Sequence, residues 1–213
     1  APGIAVNQAR TDNGITPLFM AAHNGHLDVV TALIAAPGIA VNQARTDNGI
    51  TPLSIAAQQG HLNVVVALLQ KGGIEVNQAR DNGTTPLYAA AHNGHHEVVA
   101  ALITAPGIMV NQATTDNGAT PLYAAAHNGH HEVVTALIAA GADVNQARDN
   151  DATPLFIAAQ QGQHEVVVVL ITAPGIEVNQ AITDVGATPL YATAHYGHHE
   201  VVAALITAPG IMV

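Results

Sequence analysis

The sequence has no cysteine and no tryptophan, and aromatic residues make up only 3 % of it. Without cysteine there are no disulfides and no thiol chemistry. Charge is also scarce, at 9 %, and the five basic residues (Arg10, Arg45, Lys71, Arg80, Arg148) are outnumbered by 15 carboxylates. No basic stripe results, so nucleic acid and anionic membrane surfaces are not expected partners. No apolar run approaches the length needed to cross a bilayer, so membrane insertion is not expected. The one serine, Ser54, sits in no nucleophile elbow, and there is no phosphate loop and no Cys/His pair. These absences point away from an enzyme and from a bound cofactor.

What the sequence does have is repetition. Thr85 to Val99 reads TPLYAAAHNGHHEVV, and Thr120 to Val134 repeats it letter for letter. Looser copies begin at Thr16, Thr51, Thr153 and Thr188, and the six threonines are spaced 35, 34, 35, 33 and 35 residues apart. A fixed period of this size predicts stacked units that bury one another's apolar faces. The expected organisation is one elongated domain over residues 1–213.

Within a unit the local rules are clear. Thr16 is a good N-cap and Pro17 suits the first helical position. A short alanine-rich inner helix over Leu18–Asn24 ends at Gly25, where a left-handed residue commonly closes a helix. A second helix over His26–Ile34 places Val29, Val30, Leu33 and Ile34 on one face. Asp28 lies in its first turn, as do Glu97, Glu132, Glu165 and Glu200 in later copies, where carboxylates compensate the helix dipole. Pro37 and Gly38 stop the helix, Val41 turns inward, and a polar turn leads to Thr51.

Helix, tight turn, helix and projecting hairpin resemble the ankyrin repeat. The fourth unit carries the resemblance most fully, with Thr120-Pro121-Leu122, Gly129-His130, Val133-Val134, Leu137-Ile138 and Gly141-Ala142-Asp143-Val144-Asn145. The resemblance implies an all-α solenoid of helix-turn-helix units with short β-hairpin loops, and a non-enzymatic protein-binding scaffold. Three departures stand out. The histidine that the family places after TPL is replaced by Phe19, Ser54, Tyr88, Tyr123, Phe156 and Tyr191, which suggests a different polar arrangement or an aromatic column. Most units carry extra loop residues, as in Arg45-Thr46-Asp47-Asn48-Gly49. Asp151 and Gln163 replace a turn glycine and a G-H histidine.

All 13 histidines fall in three repeat columns. His26, His61, His95, His130 and His198 start second helices and read as structural. The triplets His92/His95/His96, His127/His130/His131 and His195/His198/His199 straddle helix ends, so no metal site is expected from them. Full protonation would move the formal charge from −10 to about +3. That leaves two readings, solvated histidines without a role, or altered association and solubility near pH 5. Asn82-Gly83-Thr84 matches a glycosylation sequon but arises inside the turn pattern.

The resemblance implies a concave contact surface. It combines turn tips (Asp47, Asn48, Ile50, Asp116, Asn117, Ala119, Asp149, Asn150, Ala152) with inner-helix ends (His92, Asn93, His127, Asn128, Gln160, Gln161). The near-identity of the units suits a repetitive task as well, and the sequence shows no polar caps at its ends. The alternative expectation is therefore head-to-tail self-association into a filament or ordered assembly. Its contacts would be Leu18, Val29, Val30, Val201, Val202, Leu205 and Ile206.

Overall fold

The computed structural model describes residues 5–212 and divides the chain into two compact units, residues 1–109 and 110–213. The first unit holds three helix pairs: α1 (Pro17–His23) with α2 (Leu27–Ala35), α3 (Pro52–Gln59) with α4 (Leu62–Leu69), and α5 (Pro86–His92) with α6 (His96–Ile103). The second holds α7 (Pro121–His127) with α8 (His131–Ala139), α9 (Pro154–Gln160) with α10 (His164–Ile171), and α11 (Pro189–Tyr196) with α12 (His199–Leu205). Observed helix limits lie within a residue of those expected for the first pair.

Every first helix starts the same way. The hydroxyl of Thr16, Thr51, Thr85, Thr120, Thr153 or Thr188 accepts the amide three residues on, at 3.0–3.2 Å, and proline follows at the first helical position. The cap removes an orphan amide, and proline has none to lose. Second helices have no such side-chain cap. Their first turns instead carry Asp28, Glu97, Glu132, Glu165 and Glu200.

In the first unit α3 packs between α1 and α5, while α4 packs between α2 and α6. The second unit repeats this with α9 between α7 and α11, and α10 between α8 and α12. The alanine pairs Ala56-Ala57, Ala90-Ala91, Ala125-Ala126 and Ala158-Ala159 are fully buried, which lets first helices approach closely. Leu53, Leu87, Leu122 and Leu155 from first helices, and Leu68, Leu102, Leu137 and Leu170 from second helices, fill the core between layers.

An asparagine ladder ties successive loops. Asn7 donates to the Gly38 carbonyl at 2.8 Å and accepts the Ala40 amide at 2.8 Å. Asn42, Asn77, Asn111, Asn145 and Asn179 each make the same pair of bonds 30–33 residues on. One side chain thus satisfies a donor and an acceptor that no regular ladder reaches.

The projecting loops contain no strand among the described residues. The long loops close with two backbone bonds, as Arg45 N to Ile50 O at 2.9 Å and Gly49 N to Arg45 O at 3.1 Å, and the short ones as Arg80 N to Thr84 O at 3.0 Å and Gly83 N to Arg80 O at 2.9 Å. A turn closed this tightly is too short to form a β ladder.

Candidate functional site

Four side chains of the G-H column reach backward to the preceding pair. The Nε2 of His61, His95 and His198 donates at 3.0 Å to the carbonyls of His23, Gln58 and Gln160. A carbonyl can only accept, so these rings carry their proton on Nε2 in this bond. Gln163 does the same work, with its amide nitrogen 3.2 Å from the His127 carbonyl. The glycines beneath are required by space as well as by backbone shape. At Gly60 (φ +76°) an added Cβ would lie 2.7 Å from the His95 ring.

The loop tips are built by their own asparagines. Asn48 Oδ1 accepts the Ile50 amide at 3.1 Å, Asn117 Oδ1 the Ala119 amide at 3.0 Å, and Asn150 Oδ1 the Ala152 amide at 3.3 Å. Neighbouring tips join through backbone, with Asp81 N on the Asn48 carbonyl at 3.3 Å and Asp149 N on the Asn117 carbonyl at 3.1 Å. This brings together Asn48 and Asp81 in the first unit, and Asn117 and Asp149 in the second. Asp47, Asp116, Asp149 and Asn150 are exposed. Ile50, Ala119 and Ala152 are buried, because each precedes a capping threonine and packs inward with it. Of the residues expected at the tips, only Asp and Asn side chains are therefore left accessible.

The first-helix ends are also exposed at His92, Asn93, His127 and Gln161, with Asn128 and Gln160 half-buried. Asn93 and Asn128 cap their own helices by donating to Ala89 and Ala124 carbonyls at 2.7 and 2.8 Å. Histidines at these ends stack one turn along on the residue after TPL, as Phe19 on His23, Tyr88 on His92 and Tyr191 on His195, at 6.2–6.4 Å. Tyr191 and Tyr196 are 62 % and 54 % exposed, the largest exposed aromatics among the described residues.

The place vacated by the family's histidine is served by arginine. Arg45 lies over the Phe19 ring at 5.7 Å, and Arg148 over the Tyr123 ring at 5.4 Å with Nη1 3.2 Å from the phenol oxygen. Arg80 bonds Ser54 and Gln58. The column was open to view in the sequence, since all four arginines follow Val-Asn-Gln-Ala. The targets of Arg80 and Arg148 lie on the helix before, 22–26 residues away, which spacing alone does not reveal.

Charge is unequal between the units. The first sets six carboxylates against Arg10, Arg45, Lys71 and Arg80, whereas the second sets nine against Arg148 alone. Among the described residues no three His, Asp or Glu side chains converge to hold a metal, and no helix is long and apolar enough to cross a membrane. The first unit also has a pocket of about 410 Å³ between the ends of α4 and α6, lined mainly by Val66, Leu69, Ile74, Val76, Ala101 and Pro106. None of the expected contact residues lines it.

Of the residues expected at an end-to-end contact, Leu18, Val30, Val201 and Leu205 are buried in their own units. Val202 is half-buried, while Val29 and Ile206 are 49 % and 50 % exposed.

A family model described as ankyrin repeats (3 copies) matches residues 3–79, 73–148, 110–182 and 145–212. The chain belongs to the ankyrin-repeat family. No curated protein matches it significantly. Ankyrin repeats generally mediate protein–protein interaction and are typically non-enzymatic modules. The ankyrin framework here keeps its threonine caps and alanine pairs, and at Phe19, Ser54 and Tyr123 an arginine of the following loop meets the residue after TPL.

Proposed function

We propose that the chain is a non-enzymatic scaffold that binds another protein through its loop tips and first-helix ends. One observation carries this reading. The repeated polar groups are largely bonded within the fold: the threonine caps, the ladder asparagines, and the G-H side chains His61, His95, Gln163 and His198. Exposed polar side chains stand at the tips (Asp47, Asp116, Asp149, Asn150) and first-helix ends (His127, Gln161), with the exposed Tyr191 in the first turn of α11. Such a surface mixes amphipathic rings with acceptors, as protein-binding surfaces do. Six units in one domain remains our reading of the chain, because the repeat period runs without interruption from Thr16 to Thr188.

Self-association competes with this reading, but of the residues expected to carry it only Val29, Ile206 and part of Val202 are accessible. The test is affinity capture followed by quantitative binding to whatever single protein is recovered. Asp116→Lys with His127→Ala should weaken binding at least tenfold. Thr31→Lys with Thr135→Lys, on exposed positions of second helices, should leave it unchanged. The opposite pattern refutes the proposed surface.

A further inference from the structure

Two of the arginines carry their own counter-ion. Arg10 grips Asp12 with Nε and Nη2, at 3.1 and 2.6 Å, and Arg45 grips Asp47 in the same two-pronged way, with Nε at 3.0 Å. Both loops read Arg-Thr-Asp-Asn-Gly, which puts the carboxylate two residues after the arginine. The loop at Arg80 is one residue shorter and reads Arg-Asp-Asn-Gly. Its aspartate, Asp81, comes one residue too early and turns the other way. An added Cβ at Gly49 would lie 2.8 Å from Asp81 Oδ1, so that carboxylate rests against the preceding loop.

Arg80 folds instead onto α3. Its Nε faces Ser54 Oγ at 3.4 Å and its Nη2 bonds Gln58 Oε1. These two oxygens take the side edge of the guanidinium that a carboxylate takes in Arg10 and Arg45, but both are neutral. Ser54 is the only serine in the chain, and the other five residues after TPL are aromatic. No carboxylate among the described residues comes within ion-pair distance of Arg80. Burial holds its pKa below the ordinary guanidinium value, and no neighbouring charge opposes that shift. Arg148, in the other short loop, differs: it lies over the Tyr123 ring, whose face offsets part of its charge.

Nη1 of Arg80 has no hydrogen-bond partner among the described residues and is not fully buried, so the end of the guanidinium carrying Nη1 and Nη2 is accessible beside the α3 end at Gln58. That edge offers two parallel N–H groups, spaced for the two oxygens of a carboxylate. We propose that Arg80, seated on Ser54 and Gln58, is a binding point for an Asp or Glu side chain of the partner protein. This rests on the protein-binding reading above. It gives a role to a half-buried guanidinium that has no counter-ion among the described residues.

The experiment observes the arginine Nε–Hε resonances of the full chain by NMR. The probe is the blocked tripeptide acetyl-Ala-Glu-Ala-amide, with the Gln tripeptide and inorganic phosphate as comparisons. The Glu peptide should move the Arg80 resonance saturably, with a response at Arg10 and Arg45 at least fivefold smaller. Arg80→Gln should abolish the effect, and Asp47→Asn should confer a response on Arg45. Equal shifts at all arginines, no saturable shift at Arg80, or tighter binding of phosphate than of the Glu peptide would each overturn the assignment. None of these results bears on partner capture, so the two proposals fail separately.

Discussion

Gln163 stands where the other units carry histidine, and it makes the same backward bond. Replacing His95 by glutamine should therefore be nearly silent, whereas replacing it by alanine should not. His95→Ala removes a part-buried hydrogen bond to the Gln58 carbonyl, a loss of about 1 kcal/mol. It also removes ring packing against Gly60, where the ring lies so close that a Cβ would meet it at 2.7 Å. Losing some 40 Å² of apolar contact adds about 1 kcal/mol at roughly 25 cal/mol per Å². The alanine variant should lose about 2 kcal/mol, and the glutamine variant under about 0.5 kcal/mol. Urea unfolding reads this directly: with a slope of about 2 kcal/mol per molar, alanine shifts the midpoint by about 1 M and glutamine by about 0.25 M or less. The bond belongs to the interface between neighbouring helix pairs, so the loss should reach the whole first unit. Equal losses for the two variants would show that the imidazole itself is needed. No loss for alanine would show that the backward bond contributes nothing.

Two further outcomes are expected. Asp151 holds φ +62°, the only positive φ outside glycine among the described residues, and its carboxylate accepts the Thr183 hydroxyl. Asp151→Gly should raise the urea midpoint, because relief of about 1 kcal/mol of backbone strain outweighs an exposed hydrogen bond; a lowered midpoint would refute this. Arg10 holds the Asp12 carboxyl below the usual carboxylate range, chiefly by its side-chain hydrogen bond. A depressed folded-state pKa favours folding above the unfolded value, and that contribution is lost as pH falls through the folded one. An NMR titration should place Asp12 below a model aspartate, and Arg10→Gln should return it to the ordinary range.

The periodic part of the structure was legible from letters alone. Thr-Pro before an apolar run fixes a helix start, glycine fixes its end, and the 33–35-residue spacing fixes the stack. Burial of Val41, Val76, Val144 and Val178 likewise follows from their place before the ladder asparagine. The departures were visible as irregularities, but their physical meaning was not. Gln163 makes sense only once the His127 carbonyl faces it, and Ser54 only once Arg80 arrives from the next loop. Among the described residues the strands expected in the loops do not form, since so tightly closed a turn leaves no room for a ladder. The surface residues Ile50, Ala119 and Ala152 looked like tip residues by position, yet they flank buried threonine caps and follow them into the core.

A repeat protein whose units are nearly identical has little room to mark one layer as different, and the differences that exist gain weight accordingly. Loop length sets the charge of a layer here. One extra residue places an aspartate opposite its arginine, as at Arg10 and Arg45, and one fewer leaves the arginine with only its contacts on the preceding helix, as at Arg80 and Arg148. Deleting Thr46 should therefore convert the Arg45 loop into the short form and break the Arg45–Asp47 pair. Arg45 already lies over the Phe19 ring and would keep only that contact, so its environment would approach that of Arg148 over Tyr123. The converse insertion of threonine after Arg80 should supply Arg80 with its own carboxylate and silence its response to a glutamyl probe without disturbing Thr85, whose cap lies beyond the turn. An insertion variant that folds, keeps its unfolding midpoint within about 0.5 kcal/mol, and still responds at Arg80 would show that loop register does not control this charge.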